Sequence, residues 1–334
     1  MKLRDIGEFG FIERIKRGCV VRPDNVVNAI GDDAAAFTTE QGSLTLVTTD
    51  LLVERVHFLR HVTSGFNLGH KSLAVNLSDI AAMGGEGREA FVSIAVPGSC
   101  HVAYLEDFYG GMKALASEFD VNILGGDTTA SREDLVINIT LVGSVSPHEI
   151  LTRSGARPGD RICATGFLGD SRAGLHTILN DIDASRFKTL VHAHLLPRPC
   201  LKEGRFLASQ NGITAAMDVS DGLASDLGHM IRSSGVGARI EANRVPISQA
   251  LLKFCHEFGF DPVDYALSGG EDYVLICTVA PEATEPISRD YYNKFGSPLH
   301  VIGEIIHGEG MTLVDPEGMD RPVVSKGWDH FDHP

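Results

Sequence analysis

Five short acidic segments, each containing Gly, Ser or Thr, are the parts of this chain best suited to chemistry: Gly31–Asp33, Thr48–Asp50, Asn76–Asp79, Gly125–Thr129 and Asp218–Gly222. Most follow an apolar, β-branched run, where a strand is expected to end and where rigid scaffolds commonly place functional loops. Carboxylates gathered in one place repel each other and need cations. Mg²⁺ prefers such oxygen ligands and binds substrate phosphates beside them. The pattern therefore predicts an Mg²⁺–nucleotide enzyme.

The last segment is the most specific of the five. Asp218 and Asp221 stand three residues apart at a predicted strand-to-helix transition. Both side chains can reach one region, and Ser220 or Asp221 can cap the helix, whose free N–H groups suit a phosphate. A plain helix cap would explain one of the two carboxylates but not both.

Two other polar features have a simpler interpretation when each is taken alone. In the helix predicted over 67–83, the residues Ser72, Asn76 and Asp79 share one face, and we expect that face to be solvated. The His192–His194 segment falls in a predicted surface helix and is more typical of incidental histidines than of a metal site.

The Gly125–Thr129 segment is expected to form a loop after a short strand at 121–124. Its two glycines allow backbone N–H groups to approach a phosphate, and Asp127 could hold a metal ion. The sequence contains no complete P-loop, no G-x-G-x-x-G after a strand, no H-E-x-x-H and no G-x-S-x-G. Nucleotide binding must therefore use neither of the two common loops, and acyl hydrolysis is unsupported.

Composition limits the function further. The 334-residue chain has a formal net charge of −15, which argues against a nucleic-acid or anionic-membrane surface. We expect neither a signal peptide nor a membrane span, because no apolar run is long enough. Six cysteines lie far apart without a C-x-x-C pair, which favours reduced thiols in a cytoplasmic protein.

The order of predicted elements indicates an α/β protein of the α+β type with two domains. The first half alternates strand and helix signals, typical of a split βαβ arrangement with helices on one face of a mixed sheet. A polar connector at 146–160 contains Pro147, Gly155, Pro158 and Gly159. We place the boundary there, giving domains 1–147 and 148–334.

Taken together, the motifs resemble the thiamine-monophosphate kinase family, within the superfamily of aminoimidazole ribonucleotide synthetase. The resemblance runs nearly end to end and rests on IGDDA, TTDLLVERVHF, KSLAVNLSDIAAMG, GGDTT, DVSDGLASD, SGGEDYVL and GWDHF. It implies an N-terminal domain that pairs in a homodimer and a C-terminal α/β domain, with ATP bound between them. It also implies direct, in-line transfer of the ATP γ-phosphoryl to thiamine monophosphate, assisted by several Mg²⁺ ions.

The resemblance further implies roles for individual residues. The implied metal ligands are Asp33, Thr48, Thr49, Asp50, Asp79, Asp127, Asp218 and Asp221, with Asp32 as a neighbour. The implied ATP contacts are Tyr109, Gly126, Asp127, Arg153 and Ser220. The implied contacts to thiamine monophosphate are His57, Glu271 and Trp328, the only tryptophan.

Three positions depart from the family pattern. Arg55 stands where the family usually has Gly, Val274 replaces a usual Glu, and Arg172 replaces a small residue. The implied metal set is complete, so we expect an active enzyme.

Three alternatives remain open from the sequence. The first is another ATP-dependent phosphoryl-transfer member of the superfamily. The second is a metal-dependent phosphatase, which would also gather aspartates but would not need ATP. The third is a non-catalytic nucleotide-binding protein, which would not need the full acidic set.

Overall fold

The computed structural model describes residues 26–28, 32–33, 35–38 and 42–323, and these build two β-sheets with helices packed against them. The first half supplies a six-stranded sheet of order β1-β2-β3-β6-β4-β5, in which only β4 and β5 pair in parallel. The mixed sheet and two-part α/β architecture confirm the predicted fold class. Among the described residues, no helix is long and apolar enough to cross a membrane.

The first half follows the expected alternation, with two further strands before it. Its strands are β1 (Val26–Asn28), β2 (Ala35–Thr38), β3 (Leu44–Val53), β4 (Glu86–Pro97), β5 (Asn122–Ser131) and β6 (Val136–Val145). Its helices are α1 (Gly65–Ala82) and α2 (Val102–Glu118).

The second half builds a seven-stranded sheet of order β13-β12-β9-β11-β7-β10-β8. Its strands are β7 (Arg161–Ala164), β8 (Ile213–Asp218), β9 (Gly237–Glu241), β10 (Leu275–Val279), β11 (His300–Ile306), β12 (Met311–Val314) and β13 (Asp320–Pro322). Its helices are α3 (Asp170–Leu179), α4 (Lys188–Leu195), α5 (Leu201–Ala208), α6 (Leu223–Ser234), α7 (Gln249–Phe258), α8 (Pro262–Ser268) and α9 (Pro281–Phe295), with 3-10 turns at Ala184–Arg186 and Ala242–Arg244.

Helix α1 joins the two halves. Ser64 caps its first turn by accepting a hydrogen bond from the Asn67 N–H, and most of its residues are buried. One hydrophobic cluster runs from the inner face of the first sheet through Leu73 and Leu77 to Leu275 and other residues of the second half. A helix that is buried on nearly all sides can therefore hold polar side chains between the two sheets.

Two sequence expectations about local structure were wrong. The Gly125–Thr129 segment lies inside strand β5 rather than in a loop after it, because β5 pairs with β4 as far as Ser131. The face of α1 that carries Ser72 and Asn76 is buried rather than solvated. In both cases the tertiary packing of neighbouring elements overrides a local pattern.

Candidate functional site

Three carboxylates from distant parts of the chain converge between the two halves. One oxygen each of Asp33, Asp79 and Asp218 lies within 4.8 Å of the other two. Asp79 comes from α1 and Asp218 ends β8, so the cluster joins both sheets. The Ser78 hydroxyl donates a 2.6 Å hydrogen bond to Asp218 Oδ2 and ties the helix to the strand.

Strand β3 contributes Thr48 and Asp50 to the same cluster. Both residues lie on the sheet face that also carries the buried Leu46 and Leu52. The Thr48 hydroxyl donates a short hydrogen bond to Asp79 Oδ2. Asp50 acts electrostatically on Asp79, and Asp218 acts on Asp50. Two predicted ligands from one strand therefore reach the acidic centre.

These carboxylates are poorly compensated without a cation. Burial and then the Asp218 charge raise the pKa of Asp50 to about 7. Burial also raises the pKa of Asp33 to about 8, against the attraction of Arg153. Burial, Asp50 and Asp218 raise the pKa of Asp79 well above its usual range. A group of buried acids with raised pKa values is typical of a functional site.

The donor set fits a hard divalent cation. Asp33 Oδ2 and Asp50 Oδ2 are buried and accept no hydrogen bond from the described residues. Buried carboxylate oxygens are normally paired, so two orphaned oxygens beside two further aspartates indicate missing positive charge. Carboxylate and hydroxyl oxygens are ligands that suit Mg²⁺.

Arg153 supplies part of the positive charge. Its guanidinium donates a 2.6 Å hydrogen bond to Asp33 Oδ1, and its Nε lies 3.3 Å from Asp32 Oδ1. The fork of an arginine suits phosphate oxygens as well as carboxylates. Arg153, predicted to contact ATP, therefore lies directly against the predicted metal ligands.

The loop after β8 is shaped by an acid that the sequence reasoning did not single out. Asp226 is 1% exposed, and its Oδ2 accepts a 3.0 Å hydrogen bond from the Asp221 N–H. Burial and then the charges of Asp221 and Asp218 raise the pKa of Asp226 well above its usual range. The signal was present in the sequence, because Asp226 ends the same DVSDGLASD motif.

Glu271 marks a second region of the cleft. Its N–H donates a 2.7 Å hydrogen bond to the carbonyl oxygen of Ser220, which links it to the metal-ligand loop. The His57 imidazole acts on the Glu271 charge, and the Val53 N–H donates to His57 Nδ1 at 3.0 Å. Glu271 and His57, the two described residues expected to contact thiamine monophosphate, are thus close enough for their charges to interact. Trp328 lies outside the described residues.

His194 corrects another expectation. It is 6% exposed rather than on a surface, and its Nδ1 lies 3.2 Å from Glu271 Oε2 and 3.1 Å from Ser171 Oγ. Burial and the nearby Lys71 charge lower the pKa of His194 to about 4. Neither contact was visible in the sequence, because the partners are more than twenty residues apart.

Thr49 and Asp127 do not join the cluster within one chain. Strand alternation places Thr49 on the opposite sheet face from Asp50, where its hydroxyl contacts Thr140 and Asn138. Asp127 pairs with Ser93 on β4, and β6 and then β3 follow in the sheet. Three strand spacings separate β5 from β3, which corresponds to about 14 Å. These two predicted ligands therefore face away from the buried carboxylates.

Tyr109, Gly126 and Asp127 together line a shallow pocket at the β5 edge, with Gly125 and Thr128 beside them. Gly126 has φ +145°, and a Cβ there would lie 1.7 Å from the Val92 carbonyl oxygen. Only glycine fits this close approach of two strands. The pocket gathers three of the predicted ATP contacts, and neither Arg153 nor Ser220 lines it.

The chain matches two known families in sequence. Residues 31–145 match the family described as AIR synthase related protein, N-terminal domain. Residues 157–316 match the family described as AIR synthase related protein, C-terminal domain. The two matches fall on the first and the second sheet.

Curated relatives cover the whole length. The chain is 36% identical over 333 residues to the thiamine-monophosphate kinase of Aquifex aeolicus, covering 99% of this chain and 100% of the relative. It is 36% identical to the Escherichia coli K12 enzyme, covering 98% and 99%. It is 34% identical to the Bacillus subtilis enzyme, covering 90% and 93%.

Solved structures agree with these relatives. The complex of AaThiL with AMPPCP and TMP has a TM-score of 0.86 at 34% identity, covering 99% of both chains. Thiamine-monophosphate kinase from Stenotrophomonas maltophilia has a TM-score of 0.77 at 34% identity, covering 94% and 98%. A hydrogenase maturation protein, HypE with ATP, shares the fold at a TM-score of 0.72 and 19% identity, covering 86% and 87%. With full-length relatives above 30% identity and the acidic motifs in place, the chain belongs to the thiamine-monophosphate kinase family.

Proposed function

We propose that this protein transfers the γ-phosphoryl group of ATP to thiamine monophosphate in an Mg²⁺-dependent reaction that gives thiamine diphosphate and ADP. The observation that carries the proposal is the buried convergence of Asp33 and Asp79 from the first half with Asp218 from the second. Phosphoryl transfer needs positioning and neutralisation of charge more than covalent help from the protein. A cleft lined by carboxylates that Arg153 compensates only in part offers sites for the cations that would neutralise triphosphate.

Each ligand would take a defined part in holding Mg²⁺. Asp33, Thr48, Asp50, Asp79 and Asp218 would bind the ions in the cleft, with Asp221 at its rim. The ions would neutralise charge on the transferred phosphoryl group.

The remaining residues bind and orient the substrates. Arg153 can donate to a phosphate with the N–H groups that now face Asp32 and Asp33. Glu271 and His57 would hold the thiamine portion, whose cationic ring suits a carboxylate. The transfer would be direct and in line, without a covalent nucleophile from the protein.

We also propose a homodimer formed through the outer face of the first sheet. Helices α1 and α2 cover the inner face, whereas Leu51 and Phe91 on the outer face are 54% and 40% exposed. An open apolar sheet face of this kind is typical of an interaction surface. A second copy seated there would explain why Thr49 and Asp127 point outward, since both would then lie at the interface.

Two further assignments complete the proposal. The chain divides into domains 1–147 and 148–334, a boundary supported by the polar connector and by the separate sheets. The enzyme works in the cytoplasm, a location that the five cysteines within the described residues support, since none of them forms a disulfide.

Purified protein with Mg²⁺, ATP and thiamine monophosphate tests the proposal. We expect thiamine diphosphate and ADP in equal amounts, and neither product when Mg²⁺ is chelated. Release of inorganic phosphate from thiamine monophosphate without ATP would instead identify a phosphatase. Failure to turn over together with failure to bind thiamine monophosphate by calorimetry would overturn the proposal.

A further inference from the structure

Lys71 is a buried lysine to which the proposed transfer assigns no role. It lies on α1, its side chain is 2% exposed, and its Nζ donates a 2.9 Å hydrogen bond to Glu271 Oε2. The two residues belong to different halves of the chain. A buried ammonium is strongly unfavourable unless a counter-charge is held against it. The pairing of Lys71 with Glu271 is therefore a fixed feature of the folded cleft.

Glu271 is held from several directions. Its N–H donates to the Ser220 carbonyl oxygen at 2.7 Å, and His194 Nδ1 lies 3.2 Å from Oε2. Its φ of 62° falls in the left-handed region, which costs free energy in a residue other than glycine. Such a conformation persists only where the surrounding contacts determine it, and it is typical of functional sites.

The charges around this carboxylate assign different parts to its two partners. Burial opposes ionisation of Glu271, but the attraction of Lys71 and other neighbours outweighs it and lowers the pKa of Glu271. Burial and the Lys71 charge lower the pKa of His194 to about 4, so this imidazole is neutral near pH 7. Lys71 therefore supplies positive charge to the Glu271 carboxylate near pH 7, whereas the neutral His194 supplies none.

We propose that Lys71 is a positioning residue for thiamine monophosphate, which it serves by holding the Glu271 carboxylate ionised and oriented toward the cationic part of the substrate. The inference rests on the proposed function, because it takes Glu271 as a substrate contact. Lys71 and His194 both lie against Oε2, so Oε1 is engaged by neither of them. The Glu271 side chain is 27% exposed, which leaves it accessible from the cleft.

A positioning role makes a specific kinetic prediction. Since Lys71 is sealed from solvent, it acts through Glu271 and not by touching the substrate. Its loss should therefore weaken binding of thiamine monophosphate and leave ATP binding nearly unchanged. Once Glu271 has been neutralised, removing Lys71 should have no further effect on substrate binding. Interaction between two such residues appears as non-additivity in a double-mutant cycle.

The test compares wild type, Lys71→Met, Glu271→Gln and the double variant by steady-state kinetics with each substrate. We expect each single variant to raise KM for thiamine monophosphate by at least about tenfold, as truncation of a buried charge pair commonly does. KM for ATP should stay within about twofold, and the double variant should match Glu271→Gln. His70→Leu is the matched control, because His70 neighbours Lys71 on α1 and also contacts the second half, through the Pro197 carbonyl oxygen at 2.9 Å.

The outcomes separate the inference from the proposed function. Additive effects in the double variant would overturn the role of Lys71, as would a rise in KM for ATP in Lys71→Met equal to that for thiamine monophosphate. In either case, turnover by the wild type would still support the proposed function. No turnover by wild type would overturn both. If Lys71→Met does not fold, the test relies on the double variant, because that variant carries no unpaired buried charge. A KM for thiamine monophosphate well above that of Glu271→Gln in that double variant would then overturn the inference, and an equal value would support it.

Discussion

Ser78 on α1 donates a 2.6 Å hydrogen bond to Asp218 at the end of β8, and this contact joins the two halves at the acidic centre. The neighbouring Asp79 contributes its own carboxylate to the same centre. One turn of a buried helix thus supplies both a predicted metal ligand and the hydrogen bond that orients another. Groups that orient a metal ligand commonly affect metal affinity nearly as much as the ligand itself.

Ser78→Ala should therefore weaken metal binding. We expect the Mg²⁺ concentration for half-maximal activity to rise by roughly tenfold, because Asp218 loses the donor that fixes its rotamer. Ser72→Ala is the control, since Ser72 is also buried on α1 but donates to Leu68 within the same helix. An unchanged Mg²⁺ requirement in Ser78→Ala would remove the orienting role.

Asp50→Asn should separate activity from stability. The loss of one predicted ligand should reduce kcat by at least about a hundredfold, the scale of an electrostatic group that acts in the transition state. The same change removes a buried carboxylate whose raised pKa shows that its charge is unfavourable in the metal-free fold. The metal-free variant should thus melt at or above the wild-type temperature.

The exposed Asp290 on α9 gives the comparison for that variant. Asp290→Asn should keep activity and the stabilisation by Mg²⁺, while Asp50→Asn should lose most of both. A marked fall in the melting temperature of metal-free Asp50→Asn would mean that Asp50 is structural.

The stability of the metal-free protein should fall as pH rises from about 6.5 to 8. The folded pKa values of Asp33 and Asp50 are about 8 and about 7, above the ordinary 3.8, so the folded state retains protons that the unfolded chain has lost. Each retained proton lowers the free energy of unfolding by about 1.4 kcal/mol for every unit that the pH rises. Burial lowers the pKa of His194 from 6.5 to about 4 in the folded state. Its contribution to stability is therefore lost as pH falls below 6.5, outside this window.

Chemical denaturation at several pH values, with and without Mg²⁺, measures this slope. Mg²⁺ should stabilise the protein more at pH 8 than at pH 6.5, because binding must displace the retained protons. A metal-free stability that is flat or rises across the window would contradict the electrostatic description of the cluster.

The sequence indicated the chemistry of the site more completely than its geometry. Asp33, Asp79 and Asp218 could be expected together, because five acidic motifs on one chain are hard to explain as turns even though each motif alone is a weak signal. Thr49 was grouped with Asp50 although the two-residue repeat of a strand sends adjacent side chains to opposite faces. The assignment of Thr49 as a metal ligand therefore stays a prediction.

Other parts of the site depend on contacts that no local pattern contains. Lys71 and Glu271 are two hundred residues apart, and only the packing of α1 between the sheets brings them together. The burial of Ser72 and Asn76 has the same origin, since a polar helix face is solvated only when nothing packs over it. Long-range packing of this kind requires the folded structure.

The outer face of the first sheet gives a prediction about assembly. Phe91→Glu places a charge in the middle of the proposed dimer interface, where an unpaired buried charge is costly. We expect the variant to be monomeric by sedimentation equilibrium and to lose activity if Asp127 completes the site of a second copy. Tyr292→Glu, at a residue that is 57% exposed in the second half, should leave the assembly unchanged. A wild-type protein that is monomeric at micromolar concentration would contradict the proposed homodimer.

The departure from the family pattern at Arg55 yields a prediction about backbone strain. Arg55 has φ 71°, a left-handed conformation that explains why glycine is usual there. Its guanidinium compensates in part through ion pairs with Glu133 and Asp134 at 3.1 and 2.7 Å, but the side chain is 61% exposed and such pairs contribute little. Both Arg55→Gly and Arg55→Ala remove the ion pairs, whereas only the alanine keeps the cost of the positive φ. Arg55→Gly should therefore be the more stable of the two by about 1 kcal/mol in urea denaturation, and equal stability would show that this turn carries no strain.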